Sequence, residues 1–90
     1  MIKFVWDAGF KRSYKKRISK DMLLKKKFWD ALGLFEKNPF DARVKTHKLT
    51  GKLDGSWAFS IAYDCRVVFK FIENGKTALL IDIGSHNEVY

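Results

Sequence analysis

The stretch 57-WAFSIAYDCRVVFKFIENGKTALLIDIG-84 decides the fold. Trp57, Phe59, Ile61 and Tyr63 alternate with Ala58, Ser60 and Ala62, the period-two pattern of a strand with one bulky and one small face. A tight reversal near Asp64-Cys65 leads into a second strand, Arg66 to Ile72. There Val67, Phe69 and Phe71 share one face, and Arg66, Val68 and Lys70 share the other. Asn74-Gly75 within "ENGK" is a strong hairpin signal, because these residues accept left-handed backbone at little cost. Thr77 to Ile83 is then the last strand.

Upstream, Ile2 to Trp6 reads as a short strand, and Asp7 can cap a helix over 8–17 whose buried stripe is Phe10, Tyr14 and Ile18. Ser19 offers a second N-cap and Asp21 complements the new helix start. The longer helix that follows runs to about Lys37, where Asn38-Pro39 ends it. Its apolar line is Leu24, Phe28, Ala31, Leu32 and Phe35. "HKLTGKLDG" at 47–55 supplies a short strand and a Gly-rich connection. The order β-α-α-β-β-β-β defines an α+β fold, a helical hairpin packed on a mostly antiparallel sheet. Ninety residues support one domain over 1–90, and at 47% hydrophobic and 16% aromatic they carry enough material for one core.

The same pattern predicts two sheet faces. The helices cover Trp57, Phe59, Ile61, Phe69 and Phe71. The opposite face carries Ala58, Ser60, Ala62, Arg66 and Lys70, small side chains with embedded cations. It reads either as a shallow positive trough that seats a nucleic-acid backbone or as a plain solvated face.

The formal charge is +8, and its distribution is uneven. Residues 1–27 hold ten Lys and Arg against Asp7 and Asp21, whereas residues 28–90 hold eight of each sign. So concentrated an excess favours a polyanionic partner: nucleic acid, the ribosome or an acidic protein. The single Cys65 excludes an internal disulfide and fits a buried structural thiol in a reducing cytoplasm. No apolar run reaches the roughly 20 residues of a membrane span, and MIKFVWDAG is too short and too quickly charged for a signal peptide. A cytoplasmic protein is the expectation.

His47, Arg66, His86 and Tyr90 are the residues suited to chemistry. Each also has a plain reading: an exposed histidine, an arginine salt-bridged to Asp64 or Asp82, a terminal aromatic packed on its neighbours. Together they suit RNA cleavage without a metal. That reaction needs a base for the 2′-hydroxyl proton, an acid for the departing 5′-oxygen, and positive charge at phosphorus. Imidazole can act as acid or base near neutrality, guanidinium offers a fork to phosphate, and an aromatic ring can stack on a splayed base. No carboxylate cluster, P-loop, dinucleotide fingerprint or serine nucleophile motif points elsewhere, so no cofactor is expected.

Across nearly its whole length the chain resembles the RelE/ParE superfamily of bacterial toxins from toxin–antitoxin pairs. The likeness rests on an opening strand, two basic helices, "HKLTGKLDGSW", "YDCRVVFKF" and "LLIDIGSHNEVY". It is nearest the YafQ-like branch, through His47-Lys48-Leu49-Thr50-Gly51 and through Gly84-Ser85-His86 with Tyr90 four residues on. The resemblance implies a RelE-like, microbial-RNase-like fold and a ribosome-dependent mRNA endoribonuclease held inactive by a cognate antitoxin. It places His86 as the catalytic histidine, His47 as the auxiliary one, Arg66 as transition-state stabiliser and Tyr90 on the base.

Where RelE carries a pair of strand lysines this chain has Ala58 and Ser60, so a lysine base is not expected. Between Trp57 and Arg66 it is also shorter than YafQ and lacks the additional histidine and the Asp-Trp pair found there. RNA or ribosome contacts fall to Lys11, Arg12, Lys15, Lys16, Lys25, Lys26, Lys48, Lys52 and Lys70. The implied partners are an antitoxin with an acidic, partly disordered segment, the decoding site of the small ribosomal subunit, and mRNA. The alternatives are a ParE-like toxin that poisons DNA gyrase without catalysis, and a degenerate toxin or small basic RNA-binding protein.

Overall fold

A computed structural model describes residues 1–85. Among these, five strands form one sheet: β1 (Lys3–Trp6), β2 (His47–Lys48), β3 (Trp57–Ala62), β4 (Cys65–Ile72) and β5 (Thr77–Gly84), in the spatial order β1-β5-β4-β3-β2. Every pairing is antiparallel except β1 with β5. The helices α1 (Ala8–Arg17) and α2 (Met22–Lys37) lie on one face. No helix among the described residues is long and apolar enough to cross a membrane.

Local chemistry sets the element boundaries. The Asp7 carboxylate accepts the Gly9 N–H at 2.9 Å and starts α1. At α2 the cap is Asp21, which accepts the Leu24 N–H at 3.0 Å, and not Ser19. The Ser19 hydroxyl instead donates back to the Lys15 carbonyl at 2.7 Å and ties off the end of α1. Asn38 ends α2 in extended backbone ahead of Pro39, as the sequence implies.

The core is aromatic. Phe10, Phe28, Phe35, Phe59 and Phe69 are fully buried together with Ile18, Leu80 and Ile83. Trp57 and Phe71 pack against this core from its edge, so the predicted helix-covered face is the observed one. Phe35 of α2 stacks on Phe59 at 4.6 Å and meets Phe69 edge-on at 5.0 Å. Phe35→Ala is expected to lose about 3–5 kcal/mol, a large share of the stability of a domain this size. A urea unfolding curve measures it.

The opposite face is less open than the small side chains imply. Ala58 and Val68 are buried there under Leu49, with Leu53 against them, as a second small cluster. The segment after β2, including a 3-10 turn at Gly51–Leu53, folds over that part of the sheet. Ser60, Arg66 and Lys70 keep some exposure, so the trough is confined to part of the face.

A second departure is at Tyr63. Strand alternation places it in the core beside Ile61, yet it is 99% exposed. In the pairing of β3 with β4, Ser60 faces Arg66 and Ala62 faces Cys65, so Ile61 is an extra residue, a β-bulge. One inserted residue inverts the alternation beyond it. Ala62 packs on the core instead, and Tyr63 swings out at the hairpin tip.

The "ENGK" connection is a four-residue loop of two overlapping turns, the second of them centred on Asn74-Gly75. Ile72 pairs with Thr77, Glu73 and Asn74 have φ of 53° and 57°, and the Gly75 N–H donates to the Ile72 carbonyl at 3.1 Å. One turn is therefore centred on Glu73-Asn74, and the Lys76 N–H donates to the Glu73 carbonyl at 3.2 Å to close the second on Asn74-Gly75, with Gly75 at φ 81°. Space for a β-carbon is open at Gly75, but the backbone is strained for any L side chain. Gly75→Ala is expected to cost about 1–2 kcal/mol, read as a lowered thermal midpoint with unchanged secondary structure by circular dichroism.

Candidate functional site

Arg66 stands near the start of β4, between two irregular strands. Ile61 bulges from β3 on one side. On the other, Val68 pairs with Asp82 but Phe69 with Leu80, which leaves Ile81 as an extra residue in β5. Bulges of this kind re-aim side chains and increase local twist. Ser60 and Gly84 are the register partners of Arg66, so Ser60, Arg66 and Gly84 form one row across the sheet.

Two residues along, past the core-facing row Phe59, Val67 and Ile83, comes the row of His47, Ala58, Val68 and Asp82. From strand spacing and rise, the backbones of His47 and Arg66 are about 12 Å apart on a common face. Leu49 and Leu53 cover Ala58 and Val68 between them, and the His47 and Arg66 side chains line separate hollows.

The Arg66 side chain is 23% exposed, and its Nη1 lies 3.8 Å from the Asp64 Oδ1. This is a loose ion pair with an exposed carboxylate at the hairpin tip. The Asp82 carboxylate is engaged elsewhere, accepting from the Ser13 hydroxyl and the Ile83 N–H, both at 2.8 Å. A guanidinium largely withdrawn from water keeps more of its field than a surface lysine and holds its planar fork in place.

His47 is exposed at the start of β2, and its Nδ1 lies 3.0 Å from the Lys45 carbonyl oxygen. A carbonyl only accepts, so Nδ1 carries the proton in this contact, and the lone pair of the neutral ring falls on Nε2. The contact depends on an unusual backbone: Lys45 has φ 53°, uncommon for a residue with a β-carbon. Nitrogen-15 NMR of the neutral ring should report the Nδ1–H form of His47 as the major tautomer. A dominant Nε2–H signal would mean the Lys45 carbonyl does not orient the ring in solution.

Cys65, next to Arg66, takes no part. Burial pushes its thiol up to about 11, so at neutral pH it is an inert packing group. The other predicted catalytic residues, His86 and Tyr90, lie outside the described residues; Gly84, two positions before His86, belongs to the Arg66 row.

The nine cations expected to meet nucleic acid are all exposed. They are spread over several surfaces. Lys11, Arg12, Lys15 and Lys16 are on α1, with Arg12 and Lys16 flanking a cleft against Ile81 and Asp82 of β5. Lys25 and Lys26 are on α2, where Lys26 is bonded to Asp30 at 2.9 Å. Lys48 and Lys52 share a hollow with His47, and Lys48 Nζ sits 5.5 Å over the Trp57 ring. Lys70 stands on the face of β4 that carries Arg66.

The cations that line the same cleft as Arg66 are different ones, Lys27, Arg43 and Lys45, and sequence reading does not single them out. Lys27 is hidden within a run of lysines, and Arg43 and Lys45 fall in a segment of no net charge. Only the fold brings them together.

A basic α+β domain with an arginine centred between two bulges and a histidine two rows away defines the class to which the comparisons then give a family. The sequence matches, over residues 2–90, the family described as a bacterial toxin of type II toxin–antitoxin systems, YafQ. The chain belongs to that family and is a type II toxin. No curated protein sequence matches it.

Three solved structures are similar in fold. A YoeB/ParE toxin from Agrobacterium tumefaciens is 24% identical, with a TM-score of 0.78, and the match covers 94% of this chain and 99% of that one. YafQ from E. coli strain BL21(DE3) is 18% identical, with a TM-score of 0.76 and coverage of 100% and 99%. The heterotetrameric YoeB-YefM toxin-antitoxin complex from Staphylococcus aureus contributes a chain 18% identical, with a TM-score of 0.74 and coverage of 96% and 98%.

Proposed function

We propose that this toxin is a metal-independent endoribonuclease that cuts mRNA on the ribosome and so arrests translation. The observation that carries the reading is the Ser60–Arg66–Gly84 row, which sets a half-buried guanidinium between His47 and the segment leading to His86. In the reaction the 2′-oxygen attacks the adjacent phosphorus and the bond to the 5′-oxygen breaks. The products are a 2′,3′-cyclic phosphate and a 5′-hydroxyl. One histidine takes the 2′-hydroxyl proton and the other returns a proton to the leaving oxygen.

The lone pair on His47 Nε2 supports the accepting role for that residue, with His86 then the donor. Arg66 clamps the non-bridging oxygens as charge builds on phosphorus, and Tyr90 stacks on a base next to the cut. The exposed lysines of α1 and α2 supply sequence-independent attraction to ribosomal RNA. The partner that restrains the toxin is an antitoxin whose acidic segment folds over these basic surfaces.

Cell-free translation followed by primer extension on the mRNA tests this. Arg66→Ala should slow cleavage about 10²–10³-fold, and Arg66→Lys should recover only part, because an ammonium lacks the bidentate fork. His86→Ala should cost about 10²–10⁴-fold. Inhibition of DNA supercoiling with intact mRNA would replace the nuclease reading with that of a gyrase-binding toxin.

A further inference from the structure

Beyond the Arg66 row, the far end of β3 is not covered by β2, which pairs only with Trp57 and Ala58. The Ser60 N–H there donates to the Val44 carbonyl at 2.7 Å, so the segment around Val44 runs along the open edge. Between this segment, α2 and the β3–β4 hairpin lies a cleft of about 480 Å3. Lys27, Arg43, Lys45, Ser60, Tyr63 and Arg66 are among the residues that line it.

The charge in the cleft can be apportioned by its pairs. Asp30, the acidic residue of the lining, holds Lys26 at 2.9 Å. Arg43 is bound by Asp41, whose carboxylate accepts from Nε at 3.0 Å and from Nη2 and the backbone N–H at 2.9 Å. Those hydrogen bonds hold the Asp41 carboxyl down to about 2, so the pair is closed throughout the neutral range. Arg43 is thus largely neutralised, and Lys27 and Lys45, both exposed, are left to act on an incoming anion beside Arg66.

Tyr63 adds a different chemistry. It is 99% exposed at the hairpin tip, pushed out of the core by the Ile61 bulge, and it stands on the rim of this cleft. An aromatic ring presented to solvent beside two lysines and an arginine matches the stacking-plus-phosphate arrangement that holds single-stranded nucleic acid. Of the apolar residues lining the cleft, Ala31, Val44 and Ile61 are buried and Leu34 and Ala62 half-buried, so the exposed side chains at its rim are Tyr63 and charged groups.

We infer that the cleft is a second nucleotide subsite for single-stranded RNA, in which Lys27 and Lys45 hold a phosphate and Tyr63 stacks on a base. The inference rests on the nuclease reading for the direction of the strand, which runs from the subsite to a scissile phosphate at Arg66. Lys45 links the two, since its side chain lines the cleft while its carbonyl orients His47.

The probe is a fluorescein-labelled single-stranded RNA dodecamer with 2′-O-methyl groups, which cannot be cut, titrated with the purified full chain at several salt concentrations. Tyr63→Ala should weaken binding about tenfold and Tyr63→Phe should bind as wild type. Lys27→Gln with Lys45→Gln should weaken it at least tenfold and flatten the plot of log affinity against log salt by about 0.7, the value of one single-strand phosphate contact.

Unchanged affinity and slope in the double variant, or a loss in Tyr63→Phe equal to that in Tyr63→Ala, overturns the subsite. So does retained RNA binding with lost affinity for a polyglutamate peptide, which would mark the cleft as a protein-docking surface. Cleavage assays on the same proteins separate the two claims. Arg66→Ala inactive with the cleft variants binding normally removes the subsite alone. Intact mRNA with the wild-type toxin while the cleft variants are impaired in RNA binding removes the nuclease reading alone.

Discussion

Phe35 is the contact on which the architecture depends. Its ring stacks on Phe59 of β3, meets Phe69 of β4 edge-on, and lies 5.8 Å from Phe4 of β1. One side chain of α2 therefore touches three of the five strands and fixes where the helix crosses the sheet. The direction of α2 in turn determines where its hydrophilic side chains emerge. Lys27 and Asp30 reach the open end of β3 because Ala31 and Phe35, the next turns of the same helix, are pinned on the core. Core packing and cleft composition are thus set by a single constraint.

The two bulges carry that constraint into the site. A regular sheet would continue β3 and β5 in step with β4, with Tyr63 inside and the strand twist uniform. The extra residues Ile61 and Ile81 break the ladder on both sides of β4 within a few residues of Arg66. The ladder lost there is small, and both bulged residues stay at least partly buried. In return, the guanidinium is set into a shallow recess and an aromatic ring is delivered to the surface. Irregularity beside a candidate phosphate clamp is where structure is expected to deviate from local rules.

Much of this was legible in the sequence, and the physical reason is periodicity. The helices, their buried stripes, the three long strands and the helix-covered face follow from spacing, because each is enforced by burial of large aromatics. A bulge has no such signature. WAFSIAY alternates without a break, and only pairing against the neighbouring strand reveals the added residue. The cover over Ala58 was hidden for a similar reason: Leu49 and Leu53 are spaced within a Gly-rich connection that carries no strand or helix pattern. The catalytic candidates Arg66 and His47 were named from residue chemistry and fall on one face. His86 and Tyr90 rest on motif alone.

Charge shows the same division between what a sequence states and what a fold selects. All of the formal excess is in the first 27 residues, yet two of the three cations sharing the Arg66 cleft come from the electrically balanced remainder. Segment totals cannot anticipate this, because screening limits an exposed charge to about 8 Å at physiological salt. Within that radius the decisive facts are the local pairs. Asp41 cancels Arg43, and Asp30 is turned toward Lys26 rather than toward the cleft cations. Lys27 and Lys45 therefore shape the field beside Arg66, whereas the larger basic surface of α1 acts at a distance, drawing a polyanion toward the molecule before any phosphate is chosen.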